Sequence, residues 1–191
     1  MGDGTYSMMA DNPARSSTKP TDQITTLLNT KRTQKGVDLA TLSLVSPVLL
    51  VFLRHSGCVF CREALWDLAA SREAIERSGT HIVVVSFGDE KALDELLALN
   101  HLSSLDRIQD DNQSLYHAFG LHRGSWWQLA GPRVWWRGVI ARFKGGHRLG
   151  PPAGDVRQMP GMFLLNRCEV VRSFRHESAS DRPLYQDFVR A

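Results

Sequence analysis

Cysteine is scarce in this 191-residue chain, and that scarcity limits the classes of protein to which it can belong. It has three cysteines, two of which form a single Cys-x-x-Cys pair at Cys58 and Cys61. So few cysteines, in an odd number, are not the pattern of a secreted scaffold held together by disulfides. We therefore expect a protein of a reducing compartment, the cytoplasm.

Long hydrophobic runs and strong net charge are also absent. The longest sustained apolar run, residues 48–53, is far too short to span a bilayer. Residues 1–20 lack the basic start and apolar block of a signal peptide. The formal net charge of +3 is mild for this length and gives no reason to expect nucleic-acid binding. The sequence thus predicts a soluble protein without a transmembrane segment.

Residues 46–66 carry the strongest pattern: an apolar strand stops, a short polar turn follows, and the Cys-x-x-Cys pair opens a helix. Two cysteines in the first helical turn lie on one side of the backbone, close enough to form a small disulfide ring. Unpaired N–H groups and the positive end of the helix dipole favour a thiolate on the first sulfur. Cys58 is therefore predicted to be the attacking nucleophile, and Cys61 the thiol that resolves the mixed disulfide.

Three residues of the polar turn are candidates to support this chemistry. Arg54 could stabilise the thiolate, although a charge at a strand end often only reaches water. His55 could hold Cys58 as the thiolate or donate a proton, because the pKa of histidine lies near neutrality, or it could simply be solvated. Gly57 has no Cβ, so a substrate could approach the sulfur closely.

Apolar patterns along the chain alternate between strands and helices. Unbroken apolar segments near residues 48–54 and 81–87 predict buried parallel strands joined by a helix at 58–77, a right-handed βαβ unit. Residues 21–41 show only weak helical character. Further elements are predicted at 89–99 (helix), 105–109 (strand), around 115–119 (helix, capped by Asp110 or Asp111), 161–166 and 169–176 (strands) and 183–190 (helix). Residues 1–21 are predicted to be a disordered tail, and residues 22–191 one domain with an insert at 121–150.

Two segments resemble a known family. The runs LRHSGCVFCRE (residues 53–63) and GDVRQMPGMFLLN (residues 154–166) are similar to AhpC/TSA-like redox proteins, related to selenoprotein L and to peroxiredoxin-like family 2. The resemblance implies an α/β, thioredoxin-like fold: a central mixed sheet with flanking helices and a C-terminal β-hairpin plus helix. It also implies that Cys58 is the attacking and Cys61 the resolving cysteine. Pro160 would form a cis peptide bond before the strand facing the dithiol, exposing the preceding residue's backbone to an extended substrate.

The same resemblance implies a thiol-disulfide oxidoreductase or a peroxiredoxin-like antioxidant protein, with no cofactor and no metal. The substrate would be a peroxide or a disulfide, and a cellular dithiol such as a thioredoxin or glutathione system would reduce the protein again. Typical peroxiredoxins carry Pro-x-x-x-Thr/Ser-x-x-Cys, where this chain has Val51 and His55. Typical thioredoxins carry Trp-Cys-Gly-Pro-Cys, whereas here Gly57 precedes the first cysteine. These departures favour thiol-disulfide exchange over peroxide reduction.

Two other interpretations compete with redox chemistry. A structural zinc site normally needs four ligands, and His55 and Cys168 are the obvious additions to the pair; Cys168 is otherwise expected to be an incidental, exposed cysteine in a hairpin turn. The insert at 121–150 contains four tryptophans, six lysines and arginines and no acidic residue. This composition suggests, as the alternative, a non-catalytic thioredoxin-like binding module that recognises a partner or an anionic surface. Glycines interrupt the insert, which favours its packing on the sheet edge or over the mouth of the site.

Overall fold

A five-stranded mixed sheet lies at the centre of the structure, with helices on both faces. The computed structural model describes residues 20–53, 59–124, 157–177, 181 and 184–189. The strands are β1 (Val48–Phe52), β2 (His81–Ser86), β3 (Asp106–Gln109), β4 (Gly161–Asn166) and β5 (Glu169–Arg175). The helices are α1 (Pro20–Thr30), α2 (Leu39–Val45), α3 (Val59–Arg77), α4 (Glu90–Leu99), α5 (Ser114–Ala118) and α6 (Tyr185–Val189).

The strand order is β3-β2-β1-β4-β5, with β1 in the middle. Strands β1, β2 and β3 run parallel, β4 runs antiparallel to β1, and β5 antiparallel to β4. At the carboxyl end of β1, Phe52 lies opposite Val85 of β2 and Gly161 of β4. Every residue of β1 is buried, as expected of a central strand covered on both faces. This arrangement confirms the predicted thioredoxin-like α/β fold, including the closing hairpin and helix.

Each face of the sheet carries its own apolar core, because successive side chains of a strand point to opposite faces. Leu49 and Val51 pack with helices α3, α4 and α6 on one face. Leu50 and Phe52 pack with α1, α2 and α5 on the other. Full burial of such a side chain stabilises the fold by about 1.5–3 kcal/mol, so both helical layers hold β1 in place.

The element bounds follow the sequence patterns where the apolar runs are long, and differ most at the amino-terminal end. Strand β1 ends at Phe52 rather than at residue 54. The weak helical character within residues 21–41 corresponds to α1, whereas α2 was not predicted. Helix α2 has only seven residues, and the Asp38 carboxylate fixes its start by accepting a hydrogen bond from Thr41 N–H at 2.8 Å. Residues 20 and 21, predicted to be tail, already belong to α1.

The predicted two-residue turn between β4 and β5 is confirmed. Arg167 and Cys168 have φ angles of 50° and 64°, the left-handed conformation that a tight hairpin turn requires. Cys168 is half-buried rather than exposed as expected, because the turn packs against α2. The Cys168 N–H donates to Ser43 Oγ at 3.0 Å, and the Arg167 N–H to the Ser43 carbonyl at 2.9 Å.

The first residues of the predicted insert pair with residues 157–159, which follow the insert and precede β4. The Gly124 N–H donates to the Arg157 carbonyl at 2.7 Å, and the Met159 N–H to the His122 carbonyl at 3.2 Å. Residues 125–156, which include most of the insert predicted at 121–150, lie outside the described residues, as does the predicted tail up to residue 19. The described residues on either side of 125–156 form a short antiparallel pairing directly before β4. Among the described residues, no helix has the length and apolar character needed to cross a membrane.

Candidate active site

The first turn of α3 brings Cys61 to the carboxyl end of β1. Cys61 is the third residue of α3 and is only 4% exposed. It belongs to the same apolar core as Leu53 and Leu65, so its side chain faces the sheet. The structure places neither Cys61 nor Cys168 in a disulfide. A thiol at this position lies beside the strand end from which the connection to α3 starts.

The other predicted site residues, in the connection before α3, fall outside the described part of the chain. These are Arg54, His55, Gly57 and Cys58. Leu53 is described immediately before them, and Val59 opens α3 immediately after them. The roles assigned to the four residues therefore stay predictions.

Pro160 lies where the resemblance requires, directly before β4, and Met159 packs against Phe60 of the Cys-x-x-Cys segment. The predicted cis bond is wrong: no peptide bond within the described residues is cis, so the bond before Pro160 is trans. A trans bond is the ordinary state of proline. At the residue before a strand, the missing N–H of Pro160 removes no ladder hydrogen bond.

The backbone of Met159 is engaged within the protein, contrary to the expectation that it would be exposed to a substrate. Its N–H donates to the His122 carbonyl at 3.2 Å. Its carbonyl accepts a hydrogen bond from Gln158 Nε2 at 3.3 Å, and the same amide group donates to the Leu121 carbonyl at 2.9 Å. The first residues of the insert thus pair with the segment that an extended substrate was expected to bind.

Tyr116 was not predicted to belong to the site, yet its hydroxyl reaches the end of β1. The side chain is fully buried, and its oxygen lies 2.6 Å from the Leu53 carbonyl and 3.0 Å from the Val85 carbonyl. Burial raises the pKa of Tyr116 well above its ordinary value, with further contributions from its electrostatic interactions with Cys61 and Asp110. The one available signal in the sequence was a tyrosine on an apolar helix face, since a buried tyrosine needs a hydrogen-bond partner.

Asp110 holds the short helix that carries Tyr116. Its buried carboxylate accepts hydrogen bonds from Leu115 N–H at 2.8 Å and from Ser114 Oγ at 3.0 Å. The Lys31 ammonium forms an ion pair with the same carboxylate. The Asp110 carboxylate therefore links the residues that directly follow β3 and α1 to the start of α5.

A zinc site that combines Cys61 with Cys168 is excluded by their positions. Cys61 packs in the core on the α3 face of the sheet, whereas Cys168 packs against the core on the opposite face. Cys168 also follows β4, whose last residues pair with Val48, while Cys61 lies at the other end of β1. The strand between these ends is about 13 Å long. Within the described residues, no group of three or more His, Cys, Asp or Glu side chains could hold a metal ion.

Some solved structures of redox proteins have a similar fold. A mutant of peroxiredoxin Q from Xanthomonas campestris is 16% identical, with 78% of this chain and 82% of that chain covered and a TM-score of 0.55. The peroxidoxin BcpB from Mycobacterium tuberculosis is 14% identical, with the same coverage and a TM-score of 0.53. At these identities the likeness shows the fold alone, which is the thioredoxin-like fold that the sequence predicted.

The family follows from a second comparison. Residues 67–178, more than half of the chain, match the family model of the AhpC/TSA antioxidant enzymes. The chain belongs to this family, as its sequence resemblance predicted. The matched region contains Tyr116 and Pro160 but begins after Cys61, so membership rests on residues 67–178 and not on the dithiol. A comparison with curated proteins finds no match.

Proposed function

We propose that this protein is a cytoplasmic thiol-dependent oxidoreductase in which Cys58 attacks the substrate and Cys61 resolves the intermediate. The observation that carries the proposal is the position of Cys61, buried in the first turn of α3 in the core that contains Leu53, while its neighbour Phe60 packs against Met159 before β4. Cys58 precedes the first residue of that helix, where unpaired N–H groups favour a thiolate. No cofactor or metal takes part.

The chemistry of a disulfide substrate balances with two thiols. The Cys58 thiolate attacks one substrate sulfur, and the other sulfur leaves as a thiolate. The Cys61 thiol then loses its proton and attacks Cys58, which releases the second half of the substrate and forms the Cys58–Cys61 disulfide. A cellular dithiol, from a thioredoxin or glutathione system, transfers two electrons back to the pair.

A peroxide is the second candidate substrate, and membership in the antioxidant family favours it. In that reaction the Cys58 thiolate takes one peroxide oxygen and becomes a sulfenic acid, while the other oxygen leaves as an alcohol or water. Condensation with Cys61 releases water and gives the same disulfide. Arg54 would stabilise the leaving oxygen and His55 would supply its proton. Gly57 would leave room for either substrate, as the sequence predicts.

Disulfide exchange is favoured by the surroundings of Val51. In typical peroxiredoxins the corresponding position is the proline of their motif, but here Val51 lies within β1, paired with Val84 and Met162. A proline would remove a ladder hydrogen bond from this central strand. The engaged backbone of Met159 further favours a small disulfide over an extended polypeptide.

The test is to count and locate reactive thiols in the wild type and three serine variants. We expect a stoichiometric small disulfide to convert the wild-type pair to an internal disulfide. Cys58→Ser should block this reaction, and Cys61→Ser should accumulate a mixed disulfide on Cys58, detected by peptide mass spectrometry. Cys168→Ser is the matched control, since Cys168 lies on the other face of the sheet, and it should behave as wild type.

The rates with hydrogen peroxide and with a model disulfide then select the substrate. A faster reaction with peroxide makes the protein a peroxidase, and a faster reaction with the disulfide makes it an oxidoreductase of small disulfides. A wild-type pair that reacts with neither would contradict the proposal. That outcome would instead favour a non-catalytic thioredoxin-like module that binds through the insert at 121–150.

A further inference from the structure

The last residue before the dithiol connection is held through both of its backbone polar groups. The Leu53 N–H donates to the Val85 carbonyl at 2.9 Å, which continues the parallel ladder one residue beyond β1. The Leu53 carbonyl accepts a hydrogen bond from the Tyr116 hydroxyl at 2.6 Å, a contact that joins residues 63 positions apart. The Leu53 side chain, only 4% exposed, packs in the core that contains Cys61.

The single hydroxyl proton of Tyr116 has one main acceptor. The hydroxyl oxygen lies closer to the Leu53 carbonyl, at 2.6 Å, than to the Val85 carbonyl, at 3.0 Å. The Val85 carbonyl already accepts the Leu53 N–H, so the Leu53 carbonyl is the group that needs this proton. A buried carbonyl without a donor is destabilising, and here Tyr116 supplies the donor.

The ring of Tyr116 is held in the direction that this hydrogen bond requires. It meets the ring of Phe52 edge-on at a centroid distance of 4.9 Å and that of Phe87 at 5.3 Å. Asp110 fixes the first turn of α5, from which the ring projects. With its pKa raised well above the ordinary value, the phenol keeps its proton at every pH at which the protein works.

We propose that Tyr116 is a positioning residue for the Cys58–Cys61 pair, because its hydroxyl fixes the backbone from which the connection 54–58 starts. This role rests on the proposed function. The connection has only five residues, and its far end is fixed by α3. Anchoring both ends of a short connection reduces the number of conformations open to it, and by this means Tyr116 would favour the reactive thiolate of Cys58. In this role Tyr116 acts through the backbone of Leu53.

The experiment compares Tyr116→Phe with Phe119→Leu in the full chain. The Phe variant removes one buried oxygen and keeps the ring, so we expect it to fold, which a urea titration checks. Phe119 belongs to the same aromatic cluster, 5.4 Å from Phe52 and 4.8 Å from Phe163, but its ring carries no hydroxyl to donate. It is therefore a control for loss of stability alone.

Two readouts separate positioning from stability. The first is the pH profile of Cys58 alkylation by iodoacetamide, measured peptide by peptide so that Cys61 and Cys168 are counted separately. We expect Tyr116→Phe to slow Cys58 alkylation at neutral pH by about 2- to 10-fold and to move the profile to higher pH, because the thiolate is less well held. The second is amide hydrogen exchange over residues 53–61, which should become faster. Phe119→Leu should lower the urea midpoint and leave both readouts as in wild type.

Each outcome decides a separate question. An alkylation profile of Tyr116→Phe that matches wild type, or an equal change in Phe119→Leu, would overturn the role of Tyr116 while the proposed function stands. A wild-type Cys58 no more reactive than Cys168 would overturn the proposed function, and the role of Tyr116 with it.

Discussion

Replacing Asp110 by alanine should be among the most destabilising single changes on this side of the sheet. The Asp110 side chain is fully buried and accepts hydrogen bonds from three groups, the Lys31 ammonium, the Ser114 hydroxyl and the Leu115 N–H. Leu115 is itself fully buried, so its N–H cannot turn to water when the carboxylate is removed. Asp110→Ala thus leaves the buried Leu115 N–H without its acceptor and removes the carboxylate that pairs with the Lys31 ammonium.

The size of the effect follows from these contacts. Breaking a buried ion pair by removing one partner costs about 3–5 kcal/mol, and losing a helix cap about 0.5–2 kcal/mol, with overlap between the two. The Lys31 side chain is 21% exposed, so water can solvate its ammonium in part when the carboxylate is removed. The loss of stability should therefore lie near the lower end of the range for a buried ion pair. We expect a loss of about 3 kcal/mol in the free energy of unfolding. With a typical dependence on urea, the midpoint falls by about 1–3 M.

Asp111 provides a matched control, being the next residue with the same charge. It is exposed, and its carboxylate accepts hydrogen bonds from Gly88 N–H at 3.1 Å and Gln109 Nε2 at 2.7 Å. Asp111→Ala should therefore cost about 1 kcal/mol or less. Urea unfolding followed by circular dichroism measures both variants. Midpoints for Asp110→Ala and Asp111→Ala that agree within error would refute the argument from burial.

Two further changes test the site edge and the pH dependence. A Cβ built on Gly161 would lie 2.6 Å from Leu121 Cδ2 and 3.0 Å from the Phe174 carbonyl. Gly161→Ala should therefore lower the thermal midpoint by several degrees. In the control Gly36→Ala, at an exposed position with open space around it, the loss of stability should come only from the positive φ. For Asp106, burial would raise the pKa, but hydrogen bonds and charges from Lys35 and His81 outweigh it and lower the pKa below 3.8. Its contribution to stability is complete above that value and is lost as pH falls through the lower folded-state pKa. Acid titration of Asp106→Asn should show a shallower loss below about pH 4, and an unchanged slope would contradict this.

The strands and long helices could be predicted from the sequence because their apolar patterns are local. The residues of β1 and β2 are apolar on both faces, which only a central, doubly covered strand allows. Helix α2 was missed because seven residues are too few for a helical period to be distinguished. Its place is set by contacts with distant residues, including Ser43 against Cys168, 125 positions away.

The part of the site that could not be predicted depends on contacts between residues far apart in the chain. Either Asp110 or Asp111 was predicted to cap α5, but the N-cap position is Gln113, which makes no side-chain capping hydrogen bond. The Leu115 N–H is instead bound by the Asp110 carboxylate, which also pairs with Lys31 79 positions earlier. The position of Pro160 followed from the resemblance, but the pairing of Met159 with residue 122 depends on the insert, which the resemblance does not describe. Sequence patterns report burial and turns, whereas partner choice among buried polar groups is decided by the assembled fold.

The geometry of Leu53 sets a limit on how the rest of the protein can influence the dithiol. Its side chain belongs to the core that contains Cys61, and its carbonyl is held by Tyr116, which packs in the core on the opposite face. Changes in the Tyr116 core should therefore reach Cys58 only if they displace this carbonyl or the neighbouring backbone of β1. Changes that merely weaken packing, as at Phe119, should alter stability without altering thiol reactivity, because the two quantities depend on different contacts. A set of variants in that core whose Cys58 reactivity follows their stability in proportion would mean that the whole layer, and not one hydrogen bond, positions the connection.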